Sequence, residues 1–482
     1  MNKALILGLA AALFWAGNPA PCHGEVLAPQ RFGLDVRARL DVAGALAAEG
    51  LRVFPAEAAT PNDWWGVRIN LARHPWSSAC EVISLNLGVW SISHYLLRDP
   101  WSYISQETMR QNLKTGLVWD NDGLPMNCLA HPSHGSTYFN VARSSGLSFW
   151  ESVPFALGGS AIWEGLMETD PPSRNDLVFT TCGGVYLGEL LHRFSSRILD
   201  GRARGLGRAG REFVAFVLNP AGGLHRLFRG DMFRYQPARG EVGGPFETRL
   251  VIGRTRLESA PFVALTFRSG DPFDGEANLK AFDFFVHRSR FCFGKNLSLT
   301  QSGYGYLGGT RLGRQGAPNH LLGLFLHFDF RQAEPVRLGA SSLAGGLVSR
   351  FRLGRGARLE TALQFGATLL GAFDNPQVRK GPWMDRDYNF GSGTVAKAEA
   401  VLSLGHWGTL HTNFAQHHLA VLEGTSGVDR AAFLETSYEI PVYRTWSVGL
   451  EVVNVRRDSS YRDVPDLRAS YADYRLIVGT KF

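Results

Sequence analysis

From residue 246 to the C-terminal Phe482, apolar side chains recur at every second position, the spacing that sends alternate residues to opposite faces of a β-strand. Leu359, Thr361, Leu363, Phe365, Ala367 and Leu369 share one face of such a segment, and Glu360, Ala362, Gln364, Gly366 and Thr368 share the other. Leu322, Leu324, Leu326, Phe328 and Phe330 alternate in the same way with Gly323, Phe325, His327 and Asp329. Trp446, Val448, Leu450 and Val452 alternate with Ser447, Gly449 and Glu451. About 12 such segments fit between turns bearing Gly, Pro, Asn or Asp, which predicts a closed antiparallel barrel. Closure matters because lipid offers no hydrogen bonds to an open strand edge. A soluble sandwich is disfavoured, since its core would have to hold the charged and amide groups of the second face without partners.

Between about residues 70 and 230 the period changes. Residues 78–97 and 152–169 read as apolar helices, and the Asp170-Pro171-Pro172-Ser173 break precedes a third helix running to about Leu199. Ser173 followed by Asp176 forms its capping-box-like start. Gly184 and Gly188, one turn apart, would let a neighbouring helix approach closely. The expected fold class is therefore α+β: an antiparallel transmembrane β-barrel of about 12 strands preceded by a helical module. The helices are expected to plug the lumen or to sit at the periplasmic mouth.

The first residues set the compartment. Lys3 precedes an apolar run over residues 4–17 that ends in small residues and Pro, a signal-peptide pattern too short to span a bilayer. The expected organisation is a signal peptide over 1–24, an extension over 25–69, the helical module over 70–230 and the barrel over 231–482. Export to a Gram-negative outer membrane follows, since no later stretch reaches about 20 uncharged apolar residues.

Composition narrows the field further. Charged residues make up 19% and Gly numbers 55, which suits folded β-rich structure rather than disorder. The net charge of +7 is spread along the chain without a basic stripe, so nucleic acid is not an expected partner. Cys80, Cys128, Cys182 and Cys292 have no metal-type spacing; they are either paired in an oxidising periplasm or buried thiols.

Candidate chemistry concentrates between residues 119 and 189. His131, His134, Ser160, Glu164 and Glu168 are the candidate catalytic residues, because His is the natural base near neutral pH and a carboxylate can set its tautomer. Tyr138, Arg143, Trp163, Ser173, Asp176, Glu189 and Asn219 are the candidate structural or binding network. No Gly-x-Ser-x-Gly elbow accompanies them. His-x-x-His with a Glu could hold zinc, but no third ligand is fixed by spacing, so neither a metal nor a cofactor is expected.

These residues, with Asn219-Pro220, Gly223, Arg226 and Gly230, resemble the bacterial domain-of-unknown-function family 3943. The shared pattern runs through His131-Pro132, Gly135, Tyr138 and Ala142-Arg143, then Ser160, Trp163-Glu164 and Glu168, then Ser173 and Asp176. The resemblance covers roughly the middle third of the chain; it implies an outer-membrane location and brings no reaction, substrate or catalytic residues. Where family members often carry an aromatic after Trp-Glu, this chain has Gly165, a departure expected to loosen local packing. The final strand, Tyr474 to Phe482, resembles the C-terminal signal of outer-membrane proteins, which implies outer-membrane lipids and the barrel-assembly machinery as partners.

Three readings of the cluster stay open. In a structural one, Arg143, Glu164, Glu168 and Asp176 form buried ion pairs and caps. In a transport one, inward charges (Glu360, Lys397, Glu399, His411, Glu435, Glu439, Glu451) select an unknown solute and the helices gate the pore. In an enzymatic one, a His/Glu site hydrolyses a lipid or envelope substrate.

Overall fold

The computed structural model describes residues 75–233, 244–256, 259–273, 279–314, 317–354, 356–378 and 386–482. The expected signal peptide and the 25–69 extension lie outside the described residues. Twelve strands close into one antiparallel barrel: β1 (Phe246–Thr255), β2 (Pro261–Ser269), β3 (Phe285–Phe293), β4 (Leu297–Arg314), β5 (Ala317–Gln332), β6 (Leu338–Arg352), β7 (Arg358–Asp374), β8 (Tyr388–Ser403), β9 (Thr409–Glu423), β10 (Gly427–Tyr443), β11 (Trp446–Tyr461) and β12 (Leu467–Lys481). The seam joins β1 to β12, with Arg249 opposite Lys481. Past it, the Phe482 N–H donates to the Thr248 carbonyl at 2.9 Å. Strands β4 to β12 hold 15–18 residues. At about 3.3 Å per residue and a tilt of about 40°, that length spans a hydrocarbon core.

Alternation sorts the two faces as the period requires. Glu360, Lys397, Glu399, His411, Glu435, Glu439 and Glu451 all point into the lumen, and most of them bridge strands that are not neighbours. Arg268 of β2 reaches Glu360 of β7 at 2.5 Å, Arg290 of β3 reaches Glu451 of β11 at 2.6 Å, and Lys397 of β8 reaches Asp329 of β5 at 2.7 Å. Arg249 pairs with Glu439, and Arg288 with Glu399. Apolar side chains fill other levels: Leu338, Phe373, Leu419 and Val455 at one, Tyr304, Leu321 and Phe325 at another. A cavity of about 160 Å³ remains, lined by Arg249, Arg288, Glu399, His411 and Glu435 among others. Leu322, Leu363, Phe365, Leu450 and Leu476 face outward and are exposed.

The N-terminal half forms eight helices among the described residues: α1 (Pro75–Ser91), α2 (Gln106–Thr115), α3 (His131–Ser144), α4 (Phe149–Ile162), α5 (Arg174–Val178), α6 (Gly184–Ile198), α7 (Gly205–Leu218) and α8 (Pro220–Phe228). Ser173 caps α5 by accepting from the Asp176 N–H at 3.2 Å, and Asn219 caps α8 by accepting from Gly222 at 2.8 Å. α7 begins within the Arg/Gly-rich stretch over 201–210.

These helices dock on the outer wall of the barrel, which corrects the expected plug or mouth placement. Tyr186 of α6 stacks on Phe328 and approaches the His287 ring at 3.3 Å; both strand residues alternate with the lumen-facing Asp329 and Arg288. Phe194 packs on Phe267, whose neighbour Arg268 points inward, and the Cys128 side chain fills the space beside Gly339. Trp119 stacks on Phe390 of β8. Leu326, Phe328 and Phe330, read above as one apolar face with Leu322 and Leu324, are thus buried under helices while Leu322 and Leu324 stay exposed. The lumen had no room for the module, because the barrel's own ion pairs and rings occupy it.

Beside its apolar core (Phe139, Leu190, Phe194), the module buries polar stripes on helices whose outer faces are apolar. α1 buries Ser78 and Asn86 and exposes Ile83 and Leu87; α4 buries Ser152 and Ser160 and exposes Trp150 and Leu157. Asn86 donates to the Gly159 carbonyl at 3.2 Å and accepts from the Tyr138 hydroxyl. Both helices thus turn apolar faces outward, Ile83 and Leu87 on α1 and Trp150 and Leu157 on α4. No described helix is long and apolar enough to cross a membrane. Cys80, Cys128, Cys182 and Cys292 are free thiols.

Candidate functional site

Four π-helical turns interrupt the module, and three of them adjoin the candidate residues. His131 follows the turn Met126–Ala130, Glu164 lies within Trp163–Met167, and Asp176 shortly precedes Phe179–Gly183. Such turns shift side chains out of regular register and recur at functional sites. The chain also crosses itself here. Val118 donates to the Pro172 carbonyl and the Arg174 N–H to Val118, both at 2.9 Å, which brings Asp120 beside α5.

The result is a cluster in which one ligand-type atom each from His131, Glu164 and Asp176 lies within 4.8 Å of the others. His131 Nε2 stands 3.6 Å from Asp176 Oδ1. The Ser173 N–H donates to Glu164 Oε2 at 2.8 Å, and Asn175 donates to Asp176 Oδ1 at 2.9 Å. Asn175 also reaches Asn127 Oδ1 at 3.2 Å, and Asn127 donates to Asp120 Oδ2 at 2.9 Å and to the Tyr388 hydroxyl at 2.6 Å. Tyr388 belongs to β8, so this network ties the site to the barrel wall.

Burial dominates the electrostatics. It pushes the Glu164 carboxyl up to about 8, with the Asp176 charge adding to the effect. Burial likewise raises Asp176, helped by Asp120, and raises Glu168, helped by Glu164. His134 is held at about 3 by burial and by its neighbour His131, and its ring lies against Tyr138 and Trp163. Its Nε2 has no hydrogen-bond partner, nor does the Ser160 hydroxyl. The other serines near His131 are committed: Ser133 donates to the Leu129 carbonyl and Ser136 to the Ser133 carbonyl.

A second polar centre lies apart. Glu189 accepts from Arg143 Nε at 2.7 Å and from Arg193 Nε at 2.8 Å. Arg143 therefore pairs with Glu189 and not with Glu164, Glu168 or Asp176, the partners that the structural one of the three readings gave it. Burial alone would raise Glu189, but Arg143 and Arg193 override it and hold the carboxyl at about 2. Gly165 has open space where a Cβ would stand, in keeping with the looser packing expected there. Asn127, Asn175 and Tyr388 escaped the sequence reading, and no spacing signal links Tyr388 to residues more than 250 positions earlier.

The chain carries, over residues 116–221, a match to the family model described as domain of unknown function (DUF3943). That span contains His131, Glu164, Asp176 and Glu189. No curated protein matches the chain. Among solved structures, an anion-selective porin from Comamonas acidovorans is similar at 9% identity over 49% of this chain and 99% of the porin, with a TM-score of 0.21. A chain described as a bacterial polysaccharide outer membrane secretin is similar at 10% identity over 50% of this chain and 99% of its own, with a TM-score of 0.21. OmpT of Vibrio cholerae is similar at 10% identity over 49% and 97%, with a TM-score of 0.16. Scores this low carry no argument about pore, cargo or mechanism.

Proposed function

We propose that this β-barrel membrane protein is a non-conducting scaffold of the outer membrane, which holds its helical module against lipid at the barrel wall. The observation that carries the reading is the crossed lumen: ion pairs between opposite strands and rings such as Phe325 and Phe373 lie across it, beside a cavity of about 160 Å³. A solute path would have to break several buried pairs, each costing about 3–5 kcal/mol when one partner is left alone. The apolar outer faces of α1 and α4 support lipid as the module's surroundings, and the strand ending at Phe482 supports recognition by the barrel-assembly machinery. Purified protein in planar bilayers is expected to stay silent over the usual voltage range. Steady unitary currents that disappear when Arg290 is substituted would overturn the reading in favour of a pore.

A second reading, an envelope-modifying hydrolase, is favoured by one observation, the approach of His131 to a buried carboxylate. His131 would serve as base and Asp176 would orient it. His131→Ala in a strain otherwise unchanged would then alter the envelope lipid profile while leaving the barrel heat-modifiable. An unaltered profile sinks this reading.

A further inference from the structure

Ten Asp and Glu side chains are buried among the described residues, and eight of them face Arg or Lys. The exceptions are Glu164 and Asp176, which have the His131 ring within reach instead. Buried carboxylates without a cation are costly, so the same molecule that supplies Arg or Lys at every other buried carboxylate leaves one compensating charge out here. The three side chains converge: each offers one ligand atom, and these atoms lie within 4.8 Å of one another. The donors that do reach the carboxylates, the Ser173 N–H and the Asn175 amide, fix their orientation without neutralising them. Outer partners of this kind characterise metal sites.

We propose that His131, Glu164 and Asp176 bind one divalent first-row transition cation, of which zinc is the representative. One imidazole and two carboxylates are a suitable donor set, and three protein ligands leave a fourth position for water or a ligand. Metal–ligand distances of about 2.0–2.2 Å bring donors to about 3.3 Å apart, so closing around an ion asks for side-chain movements of about 1 Å. His131 keeps 17% of its side chain exposed and provides the way in. The inference goes beyond the scaffold reading and holds whether or not the barrel conducts.

The test uses the tag-free full chain in detergent micelles, stripped with chelator and loaded with Zn²⁺ or Co²⁺. One zinc per chain is expected by elemental analysis after gel filtration, with visible absorption of the Co²⁺ form typical of four or five ligands. His131→Ala and Asp176→Asn are expected to abolish both, while Asn175→Ala weakens binding about 10- to 100-fold through the lost support of Asp176. Because Asp176 also helps to build the start of α5, the Co²⁺ spectrum and stoichiometry of the unsubstituted protein carry the test without any variant. Less than a tenth of an equivalent of zinc, a purely octahedral Co²⁺ spectrum, or binding unchanged in folded Asp176→Asn protein each overturns the proposal.

Discussion

Replacing Glu189 with Gln is expected to unfold the helical module while leaving the barrel intact. Glu189 is fully buried and holds two guanidinium groups, Arg143 on α3 and Arg193 on its own helix, and Arg193 continues to Asp283 in the β2–β3 connection at 3.1 Å. The neutral amide keeps the shape but leaves Arg143 without a carboxylate and Arg193 with Asp283 alone, a loss of about 3–5 kcal/mol. That is a large share of the stability of a domain this size, enough to open the module to protease. The same centre predicts an acid response. Its folded carboxyl titrates near 2, below the ordinary value of 4.5. The stability it contributes is thus fully present above pH 4.5 and is lost as pH falls toward 2. Limited proteolysis should cut the Glu189→Gln module at neutral pH while the barrel still shifts with heating on a gel. Intact helices in that variant, at stability within 1 kcal/mol of the parent, would remove the Glu189 centre from the account.

Gly184→Leu should force α3 and α6 apart at their closest approach. A Cβ at Gly184 would lie 2.6 Å from the Gly135 carbonyl carbon, and one at Gly135 would lie 1.8 Å from the Thr180 carbonyl oxygen. These neighbours are backbone and cannot rotate aside, so α3 and α6 must move apart. Overpacking of this severity costs about 3 kcal/mol or more. The control is Gly165→Ala, where a Cβ meets nothing within 4 Å and the lost backbone freedom of glycine favours the folded form by about 0.5–1 kcal/mol. Urea unfolding followed by tryptophan fluorescence should move in opposite directions for the two. Equal midpoints would mean that the close approach does not limit the module.

The barrel was legible because its period is two and its lumen is charged: Glu360, Lys397 and Glu451 could only face inward. The docking of the helices was not legible. Leu322 and Phe328 occupy equivalent positions on β5, and nothing in their types says that one stays exposed while Tyr186 covers the other. The same limit governs the candidate site. His131, Glu164, Ser173 and Asp176 were named from residue chemistry, and the structure brings them together. Arg143 was grouped with them because ion pairs are the usual fate of buried carboxylates, yet helix geometry turns it toward Glu189. Asn127 and Tyr388 meet at 2.6 Å across a long sequence separation that no local pattern encodes.

The wall placement of the module also bears on how the chain is built. Its barrel contacts lie mostly between Phe246 on β1 and Phe390 on β8, with Phe482 after β12 packed against the same cluster. A partly formed sheet, still open between β1 and β12, would already carry most of that landing surface. The helices precede the strands in the chain, so they can settle on the growing sheet without being threaded through it, and the final hairpins zip the seam afterwards.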